Sequence, residues 1–237
     1  MTELITLFSF GPQGWGDELL QGMGVTVHLA VTAFVLSMIF GLLGASAKLS
    51  RFWFLRTLAY AYTTILRGLP DILIIFLLYY GSISIIQQLA LSFGPTWRLE
   101  SDVFMVSAFA LGLVSGAYTT EVLRGAILAV SQGQIDAACA LGMSRLLCFY
   151  RIIFPQLLRL TLPGLSNIWQ VLLKDTSLIS IIGLSDLLRV SAIASGSTRL
   201  PFTFYLATAV LFLLLTVISM VIITWLERRL SYGYRIQ

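Results

Sequence analysis

An all-helical membrane protein with about five transmembrane helices is the fold class that this sequence predicts, and three observations predict it. The 237 residues are 58% hydrophobic and 11% charged, whereas about a quarter of the residues of a soluble domain are charged. The mean hydropathy is +0.91. Five apolar runs are long enough to cross a hydrocarbon core, which takes about 20 residues. With so few charges, a soluble protein would expose large apolar patches, so the chain is expected in lipid.

The five predicted spans follow one another without tandem repeats, so a single membrane domain over residues 1–237 is the simplest organisation. They are Val25–Ala47, Leu58–Leu91, Val103–Leu123, Leu157–Leu184 and Phe202–Leu226. Two of them are long and interrupted, the second at Gly68 and Pro70 and the fourth at Pro163 and Gly164, with Gly183 at its end. Interruptions at membrane depth either kink a packed helix or line a cavity.

The N-terminal 24 residues lack the basic region of a signal peptide, because they contain acidic residues and no Lys or Arg. The first span is therefore expected to be retained. His28 is expected as a polar residue near a helix end. Without partners it cannot form a metal site, and the spacing of Cys139 and Cys148 matches no metal motif, so no metal site is predicted.

Lys and Arg residues predict the orientation in the membrane, because they are enriched in cytoplasmic connections. Ten lie in the connections on one side and three on the other. The ten are Lys48, Arg51, Arg56, Arg124, Arg145, Arg151, Arg159, Arg228, Arg229 and Arg235, against Arg98, Arg189 and Arg199. The N-terminus is predicted outside the cytoplasm and the C-terminus inside. The basic residues are scattered between apolar runs, so the net charge of +4 does not predict nucleic-acid binding.

A segment between the third and fourth spans, residues 126–155, is too polar to cross lipid and too apolar for a passive linker. Helix-forming residues run from Gln134 to Leu141, and Gly142 then suits a helix end. A second helical stretch follows Ser144, which is typical of a helix cap, and ends before Pro155. The pattern predicts a helix–turn–helix elbow at the membrane face, which either lies on lipid headgroups or enters a groove of another protein.

This elbow resembles the cytoplasmic loop of the permeases of binding-protein-dependent ABC importers. That loop reads Glu-Ala-Ala, three residues, Gly, nine residues, Ile, any residue, Leu-Pro. The chain matches its spacing at Asp136, Ala137, Ala138, Gly142, Ile152 and Pro155. It departs by having Asp136 for Glu and Phe154 for Leu. The first change shortens the side chain, which would alter its contact with the ATPase.

The resemblance extends from about Val25 to Gly233. GAYTTEVLRGAI, ILRGLPD, LLKDTSLISIIGL and LERR look like the polar amino acid branch of the family, and GLLGASAKLS, RGLPD and NIWQVLLK look most like permeases of histidine, lysine/arginine/ornithine and opine importers. The resemblance implies the fold of a type I importer permease and transport of basic polar amino acids. Opines or other polar amino acids are the alternative solutes.

The resemblance also implies partners: a second homologous permease, two ATP-binding subunits and a periplasmic solute-binding protein. The elbow would contact the ATPase through the six matching residues. The chain's own residues agree with a separate ATPase subunit. A P-loop needs Gly-x4-Gly-Lys-Ser/Thr, but the two lysines of this chain, Lys48 and Lys174, are followed by Leu49 and Asp175 and not by Ser or Thr. No catalysis by this chain and no cofactor bound to it are therefore expected, with ATP and Mg²⁺ on the partner.

Three acids fall within the predicted spans, where ionisable groups usually face partners or a water-filled cavity. Asp71 either lines the solute pathway or caps the helix that resumes after Pro70. Glu121 either lines the pathway or pairs with Arg124 three residues later. For Asp175 no local partner is apparent, since an adjacent lysine points elsewhere. The pathway hypothesis therefore comprises Asp175, Thr176, Ser177, Asp71 and Glu121.

Two other classes of protein compete with this interpretation. An ion-gradient-driven secondary transporter could use the three acids as a relay, but it does not explain the spaced elbow motif. An intramembrane enzyme would need a catalytic constellation, and with one histidine and no Gly-x-Ser-x-Gly none is apparent.

Overall fold

The computed structural model describes residues 6–11, 14–93 and 103–230, and its regular elements in these ranges are helices. We number the α-helices from the first long one. They are α1 Gly16–Lys48, α2 Trp53–Gly68, α3 Asp71–Phe93, α4 Val103–Ala129, α5 Gln132–Ala140, α6 Arg145–Cys148, α7 Phe154–Asp175, α8 Leu187–Thr198 and α9 Pro201–Leu230. A π-helical turn, Phe149–Ile153, precedes α7, and a 3₁₀ helix, Thr176–Ile182, follows it.

In the described residues, four helical segments are long and apolar enough to cross a membrane, or five when α2 and α3 count as one broken span. The axes of α2 and α3 differ by 111°. Leu69 between them is extended, with φ −105° and ψ 152°, as expected before Pro70. The predicted interruption is confirmed. The predicted second span, Leu58–Leu91, is corrected to two helices that are joined at a sharp bend.

Other sequence predictions are corrected at α1 and α7. Helix α1 begins at Gly16, before the predicted Val25, so His28 lies inside a helix and not near its end. Its ring contacts Phe104 of α4, with centroids 4.7 Å apart. Pro163 lies inside α7 without ending it, so the predicted break there is wrong. The helical geometry changes at Thr176 instead, and Gly183 ends the 3₁₀ helix with φ +103°.

Helices α1 and α4 form the most extensive helix pair in the described part of the chain, and glycines on both allow the close approach. A Cβ atom on Gly112 would lie 2.6 Å from Cβ of Leu36, and one on Gly116 would lie 2.6 Å from Cβ of Phe40. Gly41 and Gly44 of α1 pack in the same way against threonines of α4. Small residues allow such backbone contact between membrane helices, where lipid provides no hydrophobic driving force for association.

The apolar core joins this helix pair to α3, α7 and the 3₁₀ helix. Its fully buried members are Leu29, Ala33, Ile75, Ala108, Ala110, Leu172 and Ile179. The core therefore fixes the start of α3 and the end of α7 against α4. The prediction of one domain over residues 1–237 includes ranges outside the described residues, and it stays a prediction. Arg98 and Arg235, which were used to predict the orientation, also lie outside the described residues.

The α1–α4 contact predicts an unequal response to two matched substitutions in α4. Gly116→Ala should lower the melting temperature of the purified protein in detergent, because overpacking typically costs about 1–3 kcal/mol. Gly125→Ala should be neutral or slightly stabilising, because no atom lies within 4 Å of the added Cβ. Equal melting temperatures for the two variants would contradict the close packing.

Candidate functional site

Two acids predicted from the sequence, Asp71 and Asp175, line one cavity of about 170 Å³. Asp71 is the first residue of α3 and Asp175 is the last residue of α7. The remaining lining residues come from α4 and α7: Val114, Ser115, Tyr118, Asn167, Ile168 and Val171. The tertiary structure thus brings together two carboxylates that lie more than one hundred residues apart in the sequence.

The position of Asp71 bears on the alternative that it caps a helix. Helix α3 begins at Asp71 itself. The carbonyl of Pro70 accepts hydrogen bonds from the backbone N–H groups of Leu73 and Ile74, at 3.0 and 3.3 Å. Pro70 therefore holds the capping position, and the Asp71 carboxylate is available to the cavity. A negative charge in the first turn is also favoured by the helix dipole.

Thr176 and Ser177, which the pathway hypothesis placed beside Asp175, are absent from the residues that line this cavity. The Thr176 hydroxyl is buried and donates to the carbonyl of Leu173 at 2.7 Å. The Ser177 hydroxyl donates to the carbonyl of Lys174 at 2.6 Å. Their role in the pathway stays a prediction. Tyr118 and Asn167 line the cavity and were not predicted.

The third predicted acid, Glu121, lies in a separate ion-pair cluster. Arg124 Nε donates to Glu121 Oε2 at 3.0 Å, which is the pair that the spacing predicted. Lys48 Nζ forms a close ion pair with Glu121 Oε1, and Arg67 Nη1 lies 4.0 Å from the same oxygen. Three bases from α1, α2 and α4 therefore surround one carboxylate.

Lys48 is the buried member of this cluster. Its side chain is 2% exposed, and its ammonium also donates to Thr63 Oγ1 at 2.6 Å and lies 4.3 Å from the Tyr60 ring centroid. The sequence analysis used Lys48 as an orientation signal and missed this role. No local signal could have shown it, because Lys48 and Glu121 are 73 residues apart.

The predicted elbow is present, and its turn is a Schellman motif at the end of α5. The N–H of Met143 donates to the carbonyl of Ala138 at 3.1 Å, and the N–H of Gly142 donates to that of Cys139 at 2.9 Å. Gly142 has φ +76°, a left-handed conformation in which glycine avoids the strain of a side chain. The glycine of the motif thus has a defined structural role.

The second arm of the elbow begins at Ser144, whose hydroxyl accepts a hydrogen bond from the N–H of Leu147 at 3.3 Å. Helix α6 passes through the π-helical turn into α7, where Pro155 occupies the first turn. Side chains also join the two arms, since Gln156 donates to Gln134 Oε1 at 2.6 Å. The elbow is therefore a folded element and not an open loop.

Many large apolar side chains of the elbow are exposed on the surface of the described chain. Leu141 is 80% exposed and Leu146 is 68% exposed. Among the motif residues, Asp136 and Ala137 are exposed, Ile152 and Pro155 are half-buried, and Ala138 is buried. Ala138 packs inward, whereas Leu141, three residues later, faces out.

A further acid, Asp186, is fully buried and was missed because it lies between predicted spans. It precedes α8, and its Oδ1 accepts hydrogen bonds from the Ser180 hydroxyl at 2.6 Å and from the Arg189 N–H at 3.0 Å. Burial raises the pKa of the Asp186 carboxyl above its ordinary value, although these hydrogen bonds act in the opposite direction. Its contacts are those of a helix cap.

Comparison with known proteins connects these features to transport. Residues 37–232 match the family described as binding-protein-dependent transport system inner membrane component. The octopine transport system permease protein of Rhizobium radiobacter is 47% identical over 96% of both chains. The histidine/lysine/arginine/ornithine transport system permease protein of Escherichia coli K12 is 39% identical, over 94% of this chain and 97% of that one.

Two solved structures are similar to the described fold. One is the crystal structure of an amino acid ABC transporter with histidines, with a TM-score of 0.77 and 29% identity over 91% of this chain and 95% of that one. The other is an inward-facing methionine ABC transporter, with a TM-score of 0.64 and 13% identity over 97% and 98% of the two chains. The second similarity concerns the fold alone.

The ion-pair cluster predicts a large loss of stability when its carboxylate is removed. Glu121→Gln leaves the Lys48 ammonium buried without an anion, and breaking such a pair typically costs about 3–5 kcal/mol. Arg124→Gln should cost less than about 1 kcal/mol, because Arg124 is more exposed. Thermal unfolding in detergent measures both.

A second substitution tests the same explanation. Lys48→Met in the Glu121→Gln background should restore part of the lost melting temperature, because it removes the buried charge. A double variant that is less stable than Glu121→Gln alone would contradict the assignment of Lys48 as the buried partner.

Proposed function

Because the chain belongs to the family of binding-protein-dependent transport system inner membrane components, we propose that it provides the path for basic amino acids in an ATP-driven importer. The chain is a permease subunit of a polar amino acid ABC importer in the inner membrane. The observation that carries the finer proposal is the cavity shared by Asp71 and Asp175.

The chemistry of that cavity suits a cationic solute. Neither carboxylate forms an ion pair with another described residue. A carboxylate in a water-poor site binds an ammonium or guanidinium group strongly through charge-assisted hydrogen bonds. The names of the relatives are compatible with this solute class, because one transports histidine, lysine, arginine and ornithine. Opines remain the alternative, because other relatives transport octopine and nopaline.

The elbow is the proposed contact with the ATPase. Exposed apolar side chains on a short folded helix pair, such as Leu141 and Leu146, are typical of a helix that enters a protein groove. The proposed coupling residues are Asp136, Ala137, Ala138, Gly142, Ile152 and Pro155. Closure of the nucleotide-binding subunits would then move the elbow and α7, which continues directly from it and ends at Asp175.

The proposed complex contains a second homologous permease, two ATP-binding subunits and a periplasmic solute-binding protein. ATP and Mg²⁺ would bind to the ATP-binding subunits, because this chain contains no P-loop. The N-terminus would be periplasmic and the C-terminus cytoplasmic, in accord with the distribution of Lys and Arg. An ion-gradient mechanism is not favoured, since the family is one of binding-protein-dependent transport; vanadate-sensitive uptake would separate the two mechanisms.

The cavity predicts a transport defect in Asp175→Asn. Uptake of labelled arginine by the reconstituted complex should fall about tenfold or more, because a hydrogen bond to a charged group is worth about 1.5–3 kcal/mol. Basal ATPase activity and complex assembly should persist. Glu227→Gln, the same type of change outside the cavity, should transport normally. Undiminished uptake by Asp175→Asn would refute a solute contact at this residue.

The elbow predicts different effects of two glycine substitutions. Gly142→Ala should weaken binding of the purified ATPase to the permease about tenfold, because a left-handed conformation costs an L-residue roughly 1–2 kcal/mol. Gly133→Ala, in helix α5 of the same elbow, should bind normally, since the nearest atom lies 3.7 Å from its added Cβ. Surface plasmon resonance measures both dissociation constants. Identical constants would contradict a role for the turn in coupling.

A further inference from the structure

The guanidinium group of Arg67 lies beside the acidic cavity. Its hydrogen-bond donors are not all used by the ion-pair cluster around Glu121. Arg67 lies in the last turn of α2, four residues before Asp71 and on the other side of the 111° bend. Its side chain is 44% exposed, and its Nη1 lies 4.0 Å from Glu121 Oε1, beyond hydrogen-bond distance. Within the described ranges, Arg67 donates no side-chain hydrogen bond.

In the cluster, the carboxylate paired with this guanidinium is distant, since Glu121 Oε1 lies 4.0 Å away. Glu121 already receives Lys48 on one oxygen and Arg124 on the other. Three bases therefore share one carboxylate, and Arg67 is the most exposed and most distant of them. A guanidinium with unused donors in a membrane protein is suited to a carboxylate or phosphate ligand, because its planar fork can bind two oxygens.

Tyr118 connects Arg67 to the cavity. The guanidinium carbon of Arg67 lies 5.3 Å from the centroid of the Tyr118 ring, and the same tyrosine lines the cavity that contains Asp71 and Asp175. Tyr118 therefore contacts Arg67 and also lines the cavity of the two acids. One positive and two negative side chains are thus grouped around one aromatic ring.

We propose that Arg67 binds the α-carboxylate of the amino acid while Asp71 and Asp175 bind its cationic groups. This inference rests on the proposed function of the acidic cavity. A basic amino acid carries two positive groups and one carboxylate at neutral pH, and the three side chains carry the complementary charges. An opine carries a second carboxylate, and no lysine or arginine is among the described residues that line the cavity. Arg67 would therefore favour basic amino acids over opines.

The experiment compares L-arginine with agmatine, which is arginine without its carboxylate. Binding of both labelled compounds is measured on the assembled complex in lipid nanodiscs. The unaltered complex should bind arginine about tenfold or more tightly than agmatine. In Arg67→Gln the affinity for arginine should fall to about that for agmatine, while the affinity for agmatine stays unchanged. Arg67→Lys should retain part of the preference, because it keeps the charge and loses the fork.

Arg124→Gln is the matched control, because it removes another guanidinium beside Glu121 that does not line the cavity. This variant should keep the full preference for arginine. If the ratio of the affinities for arginine and agmatine is unchanged in Arg67→Gln, the inference is overturned. An equal fall in the affinities for both ligands would also overturn it, because that result indicates a structural role. Failure of the proposed function is distinguishable: the unaltered complex would not bind arginine, or Asp71→Asn with Asp175→Asn would bind it normally.

Discussion

A charge at membrane depth needs an opposite charge, a hydrogen-bonding partner or water, and this constraint separates the two groups of acids in the structure. Glu121 is surrounded by Lys48, Arg124 and Arg67, so its charge is used to hold three helices together. Asp71 and Asp175 share a cavity whose other lining side chains are neutral. Neither carboxylate forms an ion pair with another described residue, which makes them suited to a ligand.

The functional features lie where helices end or break. Asp71 begins α3 after the bend, Asp175 ends α7 before the 3₁₀ helix, and Lys48 ends α1. The interiors of α1 and α4 pack closely, because glycines of each helix contact larger side chains of the other. The elbow is continuous with α7, so the proposed contact with the ATPase and the cavity residue Asp175 belong to one helical unit. A displacement of the elbow can therefore reach the cavity without a flexible intermediate.

Features of the fold that have a local cause could be predicted well. Pro70 restricts the residue before it, so the α2–α3 break was visible in the sequence, and Gly142 with Ser144 marked the elbow. Pro163 was misleading, because a proline can be accommodated within a packed membrane helix when other groups satisfy the freed carbonyl. Helix α7 continues through Pro163, while Gly164 packs against Val122 of α4.

The sequence by itself determined the membrane class, the apolar spans, the elbow with its spacing, and the acids that needed an explanation. These follow from composition and from interactions within a few residues. The tertiary structure alone decided which distant charges meet: it placed Lys48 against Glu121, 73 residues away, and it brought Asp71, Asp175 and Arg67 around Tyr118. The physical reason is that such contacts depend on how separate helices pack, and helix packing is set by the shape of whole surfaces, which no short pattern encodes.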